Sequence, residues 1–183
     1  MNSKVTLFSG LARGFTLLAI GIWVGGMTFF GAVTAPLMFP AARASAAPEL
    51  APILVGQMLG RFTYITYICG ALMLLGWLFD GLITRDRRLL WWAQGLVTTI
   101  CIALAIYLGA VILPRTVAQQ DAIVPLFVKD ARKQPLTPDE QALRAAFDVE
   151  HEEYEKLGSI NVYLLIGLLG LIVARTRVVT RER

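Results

Sequence analysis

The chain has 183 residues, 56% of them hydrophobic and only 16% charged, where a soluble domain of this size carries roughly 25% charged residues. Its mean hydropathy is +0.63, and the apolar residues come in blocks that reach the ~20 residues a membrane-crossing helix needs. The composition excludes a soluble globular fold, and the net charge of +4 reads as membrane topology rather than as a nucleic-acid surface.

Four blocks, at about residues 14–39, 62–83, 89–113 and 157–174, predict an all-α integral membrane protein. Unpaired backbone groups are too costly in hydrocarbon for any other local structure. The expected fold is a single four-transmembrane-helix bundle covering residues 1–183, with helices 2 and 4 extended beyond the outer membrane surface.

In the first block, Lys4 and Arg13 resemble the basic start of a signal peptide, and "ARASAA" offers A-x-A-like cleavage sites. The apolar stretch nevertheless exceeds the ~7–15 residues of a cleavable segment, so it is read as a retained first span. Gly21 and Gly25 form G-x-x-x-G, a pattern that lets helices approach closely, and Gly56 with Gly60 repeats it ahead of the second span. These four glycines are expected to pack helices within the bundle. Pro36 is expected to kink the outer end of the span, and Trp23 lies too deep for an interfacial belt.

The connection "PAARASAAPELAP" is short, and a helix restarts near Glu49. Asp80, near the inner end of the second span, is expected to pair with Arg13 or Arg85. In the third block Trp91 and Trp92 suit the interfacial aromatic belt, while Gln94, Thr98 and Thr99 offer hydrogen bonds between helices. The segment from Pro114 shows no clear structure until "TPDEQ". There Thr137 is the expected N-cap, with Pro138 in the first turn and Glu140 closing a capping box. No proline interrupts from Pro138 to Ala174, so an amphipathic outer helix, 138–156, is expected to run on into the last span.

Lys and Arg distribute unevenly. The side holding both termini and "TRDRR" carries nine against three acidic residues, and the other side eight against ten. By the positive-inside rule both termini are cytoplasmic. Cys69 and Cys101 fall inside spans without metal-ligand spacing and suggest no disulfide framework.

The only histidine, His151, stands among Asp148, Glu150, Glu152, Glu153 and Glu155. At 100° per residue Leu143, Phe147, Tyr154, Leu157 and Asn161 form one stripe, and most of the carboxylates fall opposite it. Glu150 and His151 lie on the inward side. As a metal ligand His151 is a weak candidate, because one helix supplies at most two ligands on a face and a divalent site needs three or four. The bland reading is a border histidine bonded to Glu155 or a neighbouring helix; a proton relay with Glu150 is the sharper one. Glu150 is expected to pair with Arg61, lined by Gln57 and Tyr64, in an outer polar cluster that includes Tyr154 and Asn161. No catalytic constellation is present.

The stretches "WVGGMTFFGAVTAPLMF", "LPRT" and "ALRAAFDVEH" resemble the transmembrane protein 205-like family, known in bacteria as domain of unknown function 4149. The matching residues are Trp23, Gly25, Gly26 and Pro36; Pro114, Arg115 and Thr116; and Ala142, Leu143, Arg144, Phe147 and His151. Family members carry Ser three residues and Asn about seven after the histidine. Tyr154 and Gly158 stand there here, with Ser159 and Asn161 displaced. The resemblance implies a four-helix membrane protein and no particular reaction, substrate or cofactor. The Trp-Gly-Gly span is also similar to four-helix haem-handling and copper-resistance proteins, which use several histidines.

The functional expectation is a non-enzymatic transporter-like or accessory subunit of the bacterial inner membrane, working as a homo-oligomer or with other membrane subunits. Its surroundings are the lipid bilayer, with no nucleic acid and no cofactor. The alternative is a haem- or metal-handling redox component.

Overall fold

The computed structural model describes the backbone of residues 3–84 and 89–181 and the side chains of residues 8–83 and 89–175. Arg85, the alternative partner expected for Asp80, lies outside the described residues. All described secondary structure is helical: α1 (Ser3–Phe29), α2 (Ala35–Arg43), α3 (Leu50–Thr84), α4 (Leu89–Tyr107), α5 (Leu113–Ala131) and α6 (Pro138–Arg181). Four helical runs are long and apolar enough to cross a membrane: Phe8–Arg43, Leu50–Ile83, Leu89–Ala131 and Pro138–Arg175. The 44 residues of α6 reach about 66 Å at 1.5 Å per residue, about twice a bilayer core.

The four runs form a ring in which α1 and α4 each touch both α3 and α6. At its centre Ile20, Trp23, Met73, Leu165 and Leu168 are almost completely buried, with the free thiols of Cys69 and Cys101 among them. Large apolar side chains such as Phe15, Leu18, Ile68 and Ile166 point outward instead. That inversion has no stabilising value in water and is the expected surface of a protein whose solvent is lipid.

Two π turns, Phe30–Thr34 and Leu108–Ile112, join α1 to α2 and α4 to α5 without breaking the helical path. In each, an amide reaches five residues back: Ala35 N–H to Phe30 O, and Leu113 N–H to Leu108 O. The cause follows in the sequence. Pro36 and Pro114 sit in the next helical turn, where the ring lacks an N–H and crowds the carbonyl four residues back. One extra residue in the turn relieves that crowding. The kink expected at Pro36 takes this form.

The segment after Pro114, expected to be irregular, is the helix α5. The π turn ahead of Pro114 accommodates the ring, so the helical path continues through it. Pro125 lies inside α5 but costs less than the burial of Ile123 and Leu126, 2% and 3% exposed, which pack the helix onto the bundle. Lys133, at φ 55°, closes α5 in the left-handed conformation. Four residues beyond it, at Thr137, the capping box begins. Thr137 N–H donates to Glu140 Oε2 at 2.9 Å, and Glu140 N–H donates to Thr137 Oγ1 at 3.3 Å.

The G-x-x-x-G glycines do not make the helix contacts. A Cβ at Gly21, Gly25 or Gly60 would meet nothing within 4 Å, and one at Gly56 only the Gln120 side chain. The α1 face that meets α3 carries Ala12 and Thr16, and Gly21 lies about 140° around the helix from Thr16. The close approach falls instead at Gly76, where a Cβ would stand 3.1 Å from the Ala12 carbonyl and 2.2 Å from Thr16 Oγ1.

At the α3–α4 hairpin Trp77 and Trp91 stack, with ring centroids 4.3 Å apart. Each indole N–H donates to the other residue's carbonyl, at 2.9 Å and 3.3 Å. Gly95 and Gly81 make room, since a Cβ at either would sit 2.3 Å and 2.6 Å from the facing indole. Trp91 is therefore 6% exposed and serves as a clasp rather than in an aromatic belt, whereas Trp92 is 55% exposed.

Candidate functional site

Two polar features interrupt the apolar bundle, one at each end. At the end holding the termini, Asp80 of α3 is 2% exposed and draws partners from α1 and α6. Ser9 Oγ donates to Oδ1 at 2.6 Å and Arg13 Nε to the same oxygen at 3.1 Å, both from α1. Arg175 Nη1, from α6, lies 2.7 Å from Oδ2 and also donates to Gln94 Oε1 of α4 at 3.1 Å. Two cations share one buried carboxylate, so the desolvation cost is met by pairing and hydrogen bonds together. Arg13 was legible as a partner. Ser9 and Arg175 were not, because they flank apolar blocks far away in sequence. Of the polar residues on α4, Gln94 bridges helices, Thr99 Oγ1 turns back to the Gly95 carbonyl at 2.9 Å, and the buried Thr98 hydroxyl has no hydrogen-bond partner.

At the distal end the structure divides the expected polar cluster. Glu150 does not pair with Arg61; its Oε2 accepts from Gln119 Nε2 of α5 at 3.1 Å. The pairing expectation fails because α5, read as irregular, occupies the space beside Glu150. Arg61 is exposed and lines, with Gln57, Gly60 and Tyr64, a smaller cleft of about 320 Å³ that shares Thr63 and Gly109 with the larger cavity. His151 is 54% exposed, stacks on Phe147 with centroids 5.8 Å apart, and places Nε2 3.2 Å from Glu155 Oε1. Among the described residues no three His, Cys, Asp or Glu side chains converge as a metal site.

His151, Tyr154, Gly158 and Asn161, spaced three and four residues apart on α6, line one wall of a cavity of about 620 Å³. Of its lining residues Trp23, Thr66, Ala105 and Asn161 are buried, and His151 is exposed. Both π turns contribute wall: Phe30, Gly31 and Ala32 from one, Leu108 and Gly109 from the other. Thr28, Gly31 and Ala32 on α1 and Ser159 and Tyr163 on α6 are exposed, so the cavity opens sideways between these helices, where lipid would lie. Asn161 is 1% exposed; its Nδ2 donates to the Cys101 carbonyl at 3.2 Å, and its Oδ1 has no partner.

Outside the spans, the Lys129 ammonium and the Thr137 amide hold the Glu140 carboxyl below the usual carboxylate range, which fastens the end of α5 to the start of α6. Lys156 likewise lowers Glu152 on the exposed face of α6. Arg144 covers the Phe127 ring, 4.3 Å from its centroid, and Phe127 meets Phe147 edge-on.

An all-helical bundle with four membrane-length runs, an outward apolar surface and a lateral cavity defines a multi-pass membrane protein. The chain belongs to the family described as Domain of unknown function (DUF4149), whose model matches residues 18–122. The match takes in most of the first span, both π turns and half of α5, and it ends before the α6 wall of the cavity. Nothing among the curated proteins or the solved structures matches the chain.

Proposed function

We propose that this is a non-enzymatic, transporter-like membrane protein that receives an apolar molecule from the surrounding lipid into the cavity between α1 and α6. The observation that carries the reading is the cavity itself: about 620 Å³, walled by both π turns and open sideways at Thr28, Gly31 and Tyr163. A volume in this range suits a small ligand, and π turns recur at functional positions in helices. The unpartnered Asn161 Oδ1 beside it supports occupation, because a buried acceptor without a donor is costly.

The bias of nine Lys/Arg against three acidic residues around the termini supports cytoplasmic ends in a bacterial inner membrane. Working partners are further copies of the chain or other membrane subunits. The motif "ALRAAFDVEH" (Ala142 to His151), beyond the matched region, supports a wider kinship with transmembrane protein 205-like proteins.

Native mass spectrometry of the intact chain in an uncharged detergent tests the reading. The expected spectrum carries an apolar adduct from the source membrane that disappears in Gly31→Phe. Gly31 lines the cavity and a Cβ there meets nothing within 4 Å, so a ring can be added at the wall without displacing backbone. A spectrum with no adduct, or an adduct indifferent to Gly31→Phe, overturns it. A Soret band or stoichiometric metal supports the haem- or metal-handling alternative instead.

A further inference from the structure

Among the described residues that line the cavity there is no Lys or Arg, and Glu155 is the one carboxylate. Its side chain is 67% exposed, and His151 Nε2 lies 3.2 Å from its Oε1. At the buried end Asn161 donates one amide hydrogen to the Cys101 carbonyl and leaves Oδ1 without a partner among the described residues. A carboxylate and an unpartnered amide oxygen thus both belong to the lining. Between them lie aromatic walls: Trp23, Phe30, Phe62 and Tyr154.

Aromatic faces carry negative electrostatic potential and attract cations, most strongly where water is excluded. A carboxylate near the same space adds a longer-ranged attraction. An anionic head group would meet the same carboxylate and aromatic faces as repulsion, with no fixed cation to offset it. We infer that the cavity selects hydrophobic organic cations, molecules with a delocalised or alkylated positive centre inside an apolar shell. The inference rests on the cavity being a binding site, as proposed above, and adds the sign of charge it accepts.

Tetraphenylphosphonium and tetraphenylborate have nearly the same size and opposite charge, so together they separate charge from shape. Equilibrium dialysis of the full-length chain in an uncharged detergent would measure both. The phosphonium is expected to bind saturably with one site per chain and to lose about fivefold to tenfold in affinity in Glu155→Gln, a range set by one partly exposed charge. The borate is expected to bind more weakly and to gain from the same substitution. Glu140→Gln, at the far end of α6 and paired with Lys129, is expected to change neither ion.

A borate preference, or phosphonium binding indifferent to Glu155→Gln, overturns the charge selection. If Gly31→Phe still abolishes that binding, the cavity reading survives alone. Should neither ion bind in a way that Gly31→Phe removes, the charge selection falls, and the adduct measurement above decides the cavity reading.

Discussion

Arg175 and Asp80 meet at 2.7 Å although 95 residues separate them, and both side chains are at least 96% buried. The pair closes α6 onto α3, and Gln94 and Arg13 extend it to the remaining two spans. Breaking a buried pair by removing one partner is costly because the other charge stays behind uncompensated. Asp80→Ala is therefore expected to destabilise the detergent-solubilised protein by about 3–5 kcal/mol, seen as a lower thermal midpoint. Replacing Asp80 and Arg175 together by Leu and Met should recover much of that loss. Equal damage in the single and double variants would show that the network, not the pair, holds the helices.

The Trp77–Trp91 clasp makes a separate demand on two glycines. At Gly95 even one methyl group would sit 2.3 Å from the Trp77 ring, so the hairpin cannot accept Ala without moving an indole. Gly95→Ala is expected to cost about 1–3 kcal/mol, the range of overpacked interiors, and to shift tryptophan fluorescence as the stack opens. Gly25→Ala, where the added Cβ meets nothing within 4 Å, should leave both stability and fluorescence unchanged. The contrast is measurable in one thermal series.

At the start of α6, Thr137→Ala removes the hydroxyl that accepts from the Glu140 amide and is expected to cost about 1 kcal/mol. Glu140 adds a pH dependence whose sign follows from linkage. Its carboxyl is held down first by Lys129 and then by the Thr137 amide, so folding favours the ionised form. That contribution is fully present above the unfolded carboxylate pKa and is lost as pH falls through the lower, folded value. Hydrogen exchange of the first α6 turn should quicken over that acidic window, and Glu140→Gln should flatten the response.

The four membrane runs were legible because twenty apolar residues in lipid leave the backbone one choice. The capping box was legible because Thr137, Pro138 and Glu140 act within one turn. α5 was hidden by Pro114 and Pro125, although Ile123, Leu126 and Phe127 already show helical spacing; the π turn accommodates the first proline, and burial outweighs the second. The glycine pattern misled because G-x-x-x-G reports spacing, whereas contact depends on which side of the helix faces a neighbour. Gly76, Gly81 and Gly95 follow no such pattern and are set by Thr16, Trp91 and Trp77 across the interface. The cavity could not be read from the sequence at all, since its wall gathers residues from four spans and both π turns. The structure places His151, Tyr154 and Asn161 along the larger cavity and Arg61 on the smaller cleft.

That separation gives the last test. Glu150 accepts from Gln119 at 3.1 Å and both side chains are partly buried, while Arg61 is exposed beside the smaller cleft. Arg61→Ala should therefore change stability by no more than about 0.5 kcal/mol, as exposed substitutions generally do. Gln119→Ala leaves a half-buried carboxylate without its donor, and the expected loss is about 1–3 kcal/mol. In a double-mutant cycle, Glu150→Ala should couple to Gln119→Ala and add independently to Arg61→Ala. Coupling to Arg61 instead would mean that α5 leaves the Glu150 face in solution and that the two distal clefts merge into one polar site.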